Sequence, residues 1–335
     1  MNNTKNLKVA LIGFGGIART HNAAYKALIA EGCPISVVAV CEKNIEQFKA
    51  SIAINIGGGD GELPDNVHIY TDVDDLIKNE DFDMADICLP TFLHKAFTIK
   101  LLEAGKHVLC EKPMALSSSD CEEMLAAAKE NDCALMIGQC LRFDSFYFYL
   151  KEQIESEKFG KLRHLYLYRL SVYPRWGTSF ANSEKTGGCI LDTHIHDIDI
   201  ARFLMGEPKD ASALYFDNEP YTQIVNSRLI YDRATVVADC CWDESREKSF
   251  EAGFRASFEG ANIIFNGEKM TVYPSGKEPY CPEIEKKDYF AEEIRAFATA
   301  ILGGKTSVEQ NSAESAYLSI KLIETLKNSA KENEK

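Results

Sequence analysis

An apolar run, Val9–Ile12, stops at Gly13-Phe14-Gly15-Gly16-Ile17-Ala18, a G-x-G-x-x-A spacing near the start of a 335-residue chain. No other stretch narrows the possible folds as much. In a dinucleotide fold the first glycine makes the tight strand-to-helix turn. The second lets backbone N–H groups reach a pyrophosphate at the helix N-terminus, and the last small residue lets helix and strand pack closely. Gly13, Gly15, Gly16, Ile17 and Ala18 are therefore candidate cofactor contacts. A plain strand–turn–helix can carry the same glycines. Context favours the nucleotide, because the pattern follows a clear strand and precedes Thr20–Ala30, which reads as a helix.

Beyond Ala30 the chain alternates strand and helix. Ile35–Cys41 is a continuous apolar, β-branched run, as expected of a parallel strand buried on both faces. Val67–Tyr70, Met84–Leu89, His107–Cys110 and Ala134–Ile137 read as further strands. Val73–Asn79 and His94–Ala104 read as helices, the second closed by Gly105. A capping box at Ser119-Asp120-Cys121-Glu122 predicts a helix running to about Glu130. The alternation predicts an α/β, Rossmann-type doubly wound parallel sheet over residues 1–140. Gly57–Asp65, rich in glycine and acids, reads as a surface loop and an insertion.

Beyond Cys140 the pattern changes. Asp144–Glu157 reads as one helix. Strands come next at Leu162–Tyr173, Tyr221–Tyr231, Thr235–Trp242, Phe250–Glu259, Ala261–Phe265 and Lys269–Tyr273, with Asn266-Gly267 as a type I′ hairpin signal. Asp288–Leu302 and Ser312–Ala330 read as amphipathic helices. Serial strands on short turns predict a second, α+β domain over residues 141–335, built on a largely antiparallel open sheet. The chain length suits two domains, each large enough for its own core.

The formal charge of −14 argues against a nucleic-acid binder. The polar start, MNNTKNLK, and the lack of a long apolar run predict no membrane segment and a cytoplasmic protein. Eleven cysteines without a C-x-x-C read as small buried hydrophobes in a reducing compartment; no metal cluster is expected.

Ligands of open α/β sheets bind beyond the carboxyl ends of the strands. Pro90, Thr91, His94, Glu111, Lys112 and Gln139 all fall there and join the candidate cofactor contacts. Glu42, directly after the second strand, sits where such folds place an acid on the ribose hydroxyls. A carboxylate there repels a 2′-phosphate and predicts NAD over NADP, although neighbouring Lys43 pulls the other way. Lys112, fixed beside Pro113, can donate to a substrate oxygen or assist proton transfer; pairing with Glu111 is its structural alternative. In the second half, Asp192 to Gly206 reads as one helix. It sets Asp192 and His196 on one face, Asp199 one turn on, and His194 roughly opposite. A carboxylate one turn from a histidine suits a general base, but the same pattern also fits a polar surface face or a metal site. The Gly187-Gly188 pair predicts a close approach. Tyr173-Pro174-Arg175-Trp176-Gly177 suits a polyhydroxylated ligand, with Trp176 as a stacking face and Arg175 as a fork of donors, or else a packed bend.

Together these residues resemble the glucose–fructose oxidoreductase/inositol dehydrogenase/rhizopine-catabolism (Gfo/Idh/MocA) family. The likeness runs through GFGGIA, the Pro90/His94 segment, AGKHVLCEKPMAL (Ala104–Leu116), GQCLRF (Gly138–Phe143), GGCILDTHIHDID (Gly187–Asp199) and the Tyr289–Lys305 ending. The glutamate-lysine-proline and D-x-x-x-H elements are its most specific parts. The resemblance implies a nicotinamide-dependent dehydrogenase with Lys112, Asp192 and His196 as the catalytic set. It also implies Arg142 beside Gln139 on the cofactor side, and Lys112, Arg175, Trp176, Asp192 and His196 on the substrate side. The implied substrate is a sugar, sugar derivative or cyclitol, and the implied assembly a homo-oligomer, dimer or tetramer. Two other functions fit less of the sequence: a redox-neutral sugar-processing enzyme with a catalytic bound NAD, and a nucleotide sensor without turnover.

Overall fold

A computed structural model describes residues 5–49, 61–174, 182–218 and 222–333. The chain divides into two units, one holding residues 1–140 and 287–317, the other residues 141–286 and 318–335. The first unit thus includes a late segment that the strand and helix pattern assigns to the second domain.

The first unit is built on six strands: β1 (Leu7–Ile12), β2 (Ile35–Cys41), β3 (His68–Tyr70), β4 (Met84–Ile87), β5 (His107–Glu111) and β6 (Leu135–Gly138). They pair in the order β3-β2-β1-β4-β5-β6, and every pairing is parallel. β4 and β6 are buried along their whole lengths, which explains why their sequences do not alternate. The strand order reverses between β1 and β4, and the crevice at such a reversal is where doubly wound sheets take their ligands. The connecting helices are α1 (Gly16–Ala30), α2 (Val73–Asn79), α3 (Thr91–Glu103) and α4 (Ser118–Glu130). α2 lies where the sequence sets it, capped by Asp72, whose side chain accepts from the Asp74 and Asp75 N–H groups. α3 begins three residues earlier than predicted, with Pro90 at its N-cap. α4 begins two residues earlier, because the cap is Ser117 and not Ser119. Its hydroxyl accepts from the Asp120 N–H at 3.2 Å and donates to Asp120 Oδ2 at 2.7 Å, so the box is Ser117–Asp120.

The second unit carries seven strands: β7 (Leu162–Ser171), β8 (Asp210–Asn218), β9 (Thr222–Ile230), β10 (Thr235–Trp242), β11 (Glu251–Phe258), β12 (Ala261–Phe265) and β13 (Met270–Pro274). Their order is β13-β12-β11-β7-β10-β9-β8. All neighbours are antiparallel except β7 and β10, which run parallel at the centre. β8 is not predicted from the sequence. It is an edge strand whose Leu214 and Phe216 are 61% and 56% exposed, so its apolar residues do not mark a core face. The Asn266 turn also differs from a type I′ hairpin. Pairing closes at Phe265–Met270, which leaves four turn residues. Asn266 Oδ1 accepts from the Glu268 and Lys269 N–H groups, and only the glycine of the pair takes a positive φ. Helices α5 (Ser145–Glu155), α6 (Ser183–Thr186), α7 (Cys189–Asp192) and α8 (Ile195–Met205) precede β8.

Two helices complete the chain, α9 (Tyr289–Leu302) in the first unit and α10 (Ala313–Asn333). α9 is capped by Asp288 and buries Phe290, Ile294, Phe297 and Ile301. It packs on α1. Four such side chains stabilise the unit by roughly 1.5–3 kcal/mol each. Nine of the eleven cysteines are buried and all are free thiols. No described helix is long and apolar enough to cross a membrane.

Candidate active site

In the first unit, the glycine turn joins β1 to α1. Gly13 takes φ 90, and a Cβ there would meet the Cys88 carbonyl oxygen at 2.8 Å, so only glycine fits between β1 and β4. At Gly15 a Cβ would meet nothing within 4 Å, so the turn has open space on one side. Gly15 caps α1 without any side-chain hydrogen bond. The first N–H groups of a helix lack intrahelical acceptors. Gly16, Ile17 and Ala18 therefore present donors and a positive helix end beside that space, a cradle suited to a pyrophosphate.

Glu42 lies at the tip of β2, where the sequence sets it. Its Oε2 accepts from the Phe14 N–H at 2.8 Å and its Oε1 from the Asn44 N–H at 2.8 Å, so the carboxylate is anchored to the glycine turn. Each oxygen keeps a lone pair for a hydroxyl. Gln139, at the tip of β6, is buried, and its side-chain Nε2 finds no acceptor among the described residues. An orphaned buried donor at a strand tip suits a polar ligand. Glycine turn, acid and orphaned amide together fit a dinucleotide.

Two predicted contacts take up other partners. His94 is buried, with Nδ1 2.7 Å from the Pro113 carbonyl oxygen and Nε2 2.7 Å from that of Leu89. It ties the loops after β4 and β5 together, with neither nitrogen directed at a ligand. Burial lowers its pKa against the two carbonyls, which favour the charged ring. Glu111 is buried as well. Its Oε1 lies 2.9 Å from His21 Nε2, and its Oε2 accepts from the Lys112 N–H at 3.0 Å. Pro90 and the buried Thr91 open α3 at the tip of β4. Lys112, half-buried, comes directly after β5.

In the second unit, Asp192 and His196 do not share one helix. α7 ends at Asp192 and α8 begins at Ile195. At the break the Thr193 and His194 N–H groups both bond to the Cys189 carbonyl, and the His196 N–H turns to that of Thr193. Trp242 of β10 holds this junction, donating from Nε1 to Thr193 Oγ1 at 2.8 Å. The Gly187-Gly188 pair is answered by the protein itself. A Cβ on Gly187 would overlap Leu191, and one on Gly188 would lie 2.8 Å from Tyr215 Oη and 3.0 Å from Gln223 Oε1. That Gln223 oxygen accepts from the Cys189 N–H at 2.6 Å and sets the start of α7.

α8 is fastened on several sides. Asp199 accepts a two-pronged bond from Arg142, Nε to Oδ2 and Nη2 to Oδ1 at 2.7 Å each, and a third from Ser319 Oγ at 2.6 Å. Arg142, expected on the cofactor, and Asp199, expected beside His196, are thus partners in a buried pair. Asp197 pairs with Arg169 of β7, with contacts of 3.2 and 3.3 Å. Burial raises the Asp197 pKa in spite of the guanidinium. His194 is fully buried on Ser227 Oγ at 2.8 Å, and burial lowers its pKa to about 3. Arg175 and Trp176 lie outside the described residues.

Sequence reasoning misses a buried cluster in the first unit. His21 Nδ1 lies 2.8 Å from Asp86 Oδ2, which also accepts from Tyr25 Oη at 2.9 Å, and Glu293 of α9 lies close by. One signal is present: Asp86 is an acid inside a strand otherwise apolar.

Sheet order, glycine turn and strand-tip acid define a dinucleotide-binding protein of the doubly wound class. Comparison with known proteins narrows this class. Residues 7–139 match the family model GFO_IDH_MocA, "Oxidoreductase family, NAD-binding Rossmann fold", and residues 147–272 match the GFO/IDH/MocA C-terminal domain. An uncharacterized oxidoreductase of Bacillus subtilis, YrbE, is 32% identical over 249 residues, 70% of this chain and 72% of that protein. Myo-inositol 2-dehydrogenase of Thermotoga maritima is 29% identical over 201 residues, 60% of this chain but 55% of that enzyme's length. The aldose-aldose oxidoreductase of Caulobacter crescentus shares the fold, with a TM-score of 0.82 at 24% identity over 98% of each chain. The chain belongs to the GFO/IDH/MocA family.

Proposed function

We propose that this protein is an NAD-dependent dehydrogenase acting on a secondary hydroxyl, or the matching carbonyl, of a sugar, sugar derivative or cyclitol. The observation that carries this reading is Lys112, half-buried at the tip of β5 in a sheet whose glycine turn suits a dinucleotide. Family membership and the inositol dehydrogenase relative support the substrate class.

When bound, nicotinamide supplies the redox chemistry by accepting or giving a hydride. The protein's own residues do the rest. His196 takes the proton from the substrate hydroxyl, Lys112 Nζ donates to the same oxygen, and Asp192 orients the site. Gly15, Gly16, Ile17 and Ala18 hold the pyrophosphate, with Gln139 and the Pro90–Thr91 turn alongside. Glu42 accepts from the adenosine ribose and disfavours a 2′-phosphate, so NAD is preferred over NADP. The protein works in the cytoplasm as a homo-oligomer through the outer face of its second sheet, where Leu214 and Phe216 are exposed.

The test is a panel of sugars and cyclitols, with absorbance of reduced nicotinamide followed with NAD and NADP in turn. At least one substrate reduces NAD, and faster than NADP. In His196→Ala, kcat falls by about 10²–10⁴, the usual worth of a general base, while cofactor affinity stays within about twofold. Cofactor binding without net reduction by any panel member, or full activity in His196→Ala, overturns the reading.

A further inference from the structure

The buried cluster around His21 belongs to no step above. His21 is fully buried, and carboxylates face both of its ring nitrogens, Asp86 Oδ2 at 2.8 Å and Glu111 Oε1 at 2.9 Å. Both acids already accept elsewhere. Asp86 Oδ2 takes the Tyr25 hydroxyl proton at 2.9 Å, and Glu111 Oε2 takes the Lys112 N–H at 3.0 Å. Between two carboxylates a neutral imidazole, with its single N–H, would turn a lone pair on one of them, whereas a doubly protonated ring donates to both.

We propose that His21 is a positioning residue: held as an imidazolium between Asp86 and Glu111, it keeps the Glu111 carboxylate on the Lys112 backbone N–H and so fixes the stem of the Lys112 side chain. This rests on the reading of Lys112 as catalytic. The chain of contacts runs from α1 through β5 into the lysine, and each link is a hydrogen bond of 3.0 Å or less. The groups facing the ring are Tyr25 from α1, Asp86 from β4, Cys88 directly after it, Glu111 from β5 and Glu293 from α9. One imidazolium offsets only one carboxylate, so the cluster carries less excess charge when one of the three acids stays neutral. That acid is Glu293, since among the described residues neither of its oxygens makes a hydrogen bond, and burial with Glu111 nearby raises its pKa well above normal. Burial is the largest single influence on His21 and works against its charge, but attraction and hydrogen bonding from Asp86 and Cys88 together raise its pKa well above the ordinary histidine range.

A metal ion is the competing occupant, because ligand atoms of His21, Glu111 and Glu293 lie within 4.8 Å of one another. With both ring nitrogens protonated towards carboxylates, as proposed, no lone pair is left for a metal, and the proton is the cation that fits.

Two measurements on the full-length chain decide the matter without any substrate. In ¹⁵N-histidine-labelled protein, one of the seven histidines keeps both ring protons at about pH 8.5, two units above the ordinary value of about 6.5. That ring is identified by its contact with Phe290, 5.5 Å away, and the signal is absent from His21→Gln. By hydrogen exchange, the Lys112 amide of His21→Gln exchanges at least about tenfold faster than in the wild type, while amides of β1 keep their protection. With a substrate in hand, kcat of His21→Gln falls by about 10–100-fold while the KM for NAD moves less than about twofold. A His21 ring that is neutral at that pH overturns the proposal, and so does a folded His21→Gln with unchanged exchange at Lys112. If the variant does not fold, the wild-type ring measurement still decides. A wild type that oxidises no sugar or cyclitol removes the dehydrogenase reading and leaves both measurements valid.

Discussion

Three buried histidines show how one residue type serves different ends. His21 faces two carboxylates, His94 two carbonyls and His194 one hydroxyl. His194 makes the clearest pH prediction. Its folded pKa lies near 3, and its unfolded value is about 6.5. Between these limits the unfolded chain binds a proton that the folded chain refuses. Stability is therefore whole above about pH 6.5 and is lost as pH falls towards 3, by roughly 4 kcal/mol at most. His94 acts in the same direction and His21 in the opposite one, so the comparison must isolate one ring. His194→Gln keeps a donor for Ser227 and cannot titrate. Denaturant unfolding of wild type and variant from pH 7 to 4 is expected to show the steeper acid loss in the wild type; parallel curves would show that His194 is not held neutral. Residue identities alone separate His94 from His21 poorly. Each is a lone histidine near an apolar stretch, and only the partners brought in by other strands set their charge.

The break between α7 and α8 shows what periodicity cannot see. Apolar residues at Ile190, Ile195 and Ile198 support one continuous helix, and Asp192 and His196 then fall on one face. The interruption is imposed from a strand about fifty residues away, through Trp242 and Thr193, and from below by Gln223 on the Cys189 N–H. No local signal carries that. The glycine pair before α7 is legible as a demand for close approach, although what approaches is Tyr215 and Gln223. Gly188 takes φ 74 and ψ −178, a region open to glycine alone. Gly188→Ala is expected to lower unfolding stability by about 1–3 kcal/mol from backbone strain, plus a clash at Tyr215 Oη. Gly32→Ala is the control, since its φ of 84 is also positive but a Cβ there meets nothing within 4 Å. Calorimetry should show the larger loss at Gly188. Equal losses would mean that Tyr215 and Gln223 move aside freely.

At the scale of the molecule, the first sheet is legible in the sequence because its inner strands are buried apolar runs and two of its connecting helices, α2 and α4, start at side-chain caps. The second is only partly so. Its parallel pair, β7 with β10, joins strands more than sixty residues apart, and its edge strand β8 turns Leu214 and Phe216 outward. On the proposed reading, those exposed side chains belong to assembly. Light scattering is expected to give a dimer or tetramer for the wild type, and a Leu214→Glu/Phe216→Glu double variant is expected to run as a monomer. A wild-type monomer, or an unchanged oligomer in the variant, would show that this face does not join copies. The proposed catalytic roles have a different source. Lys112 sits at a strand tip that physics alone singles out, but its link with Asp192 and His196 comes from family resemblance.

The first unit is assembled from two stretches of chain, residues 1–140 and 287–317, and α9 from the later stretch supplies the apolar face against which α1 packs. During synthesis, therefore, a ribosome that has released all six strands of the first sheet has still to make a further 150 or so residues before that half can close. Until then the side of α1 that α9 covers stays bare, and the cluster around His21 lacks its last acid.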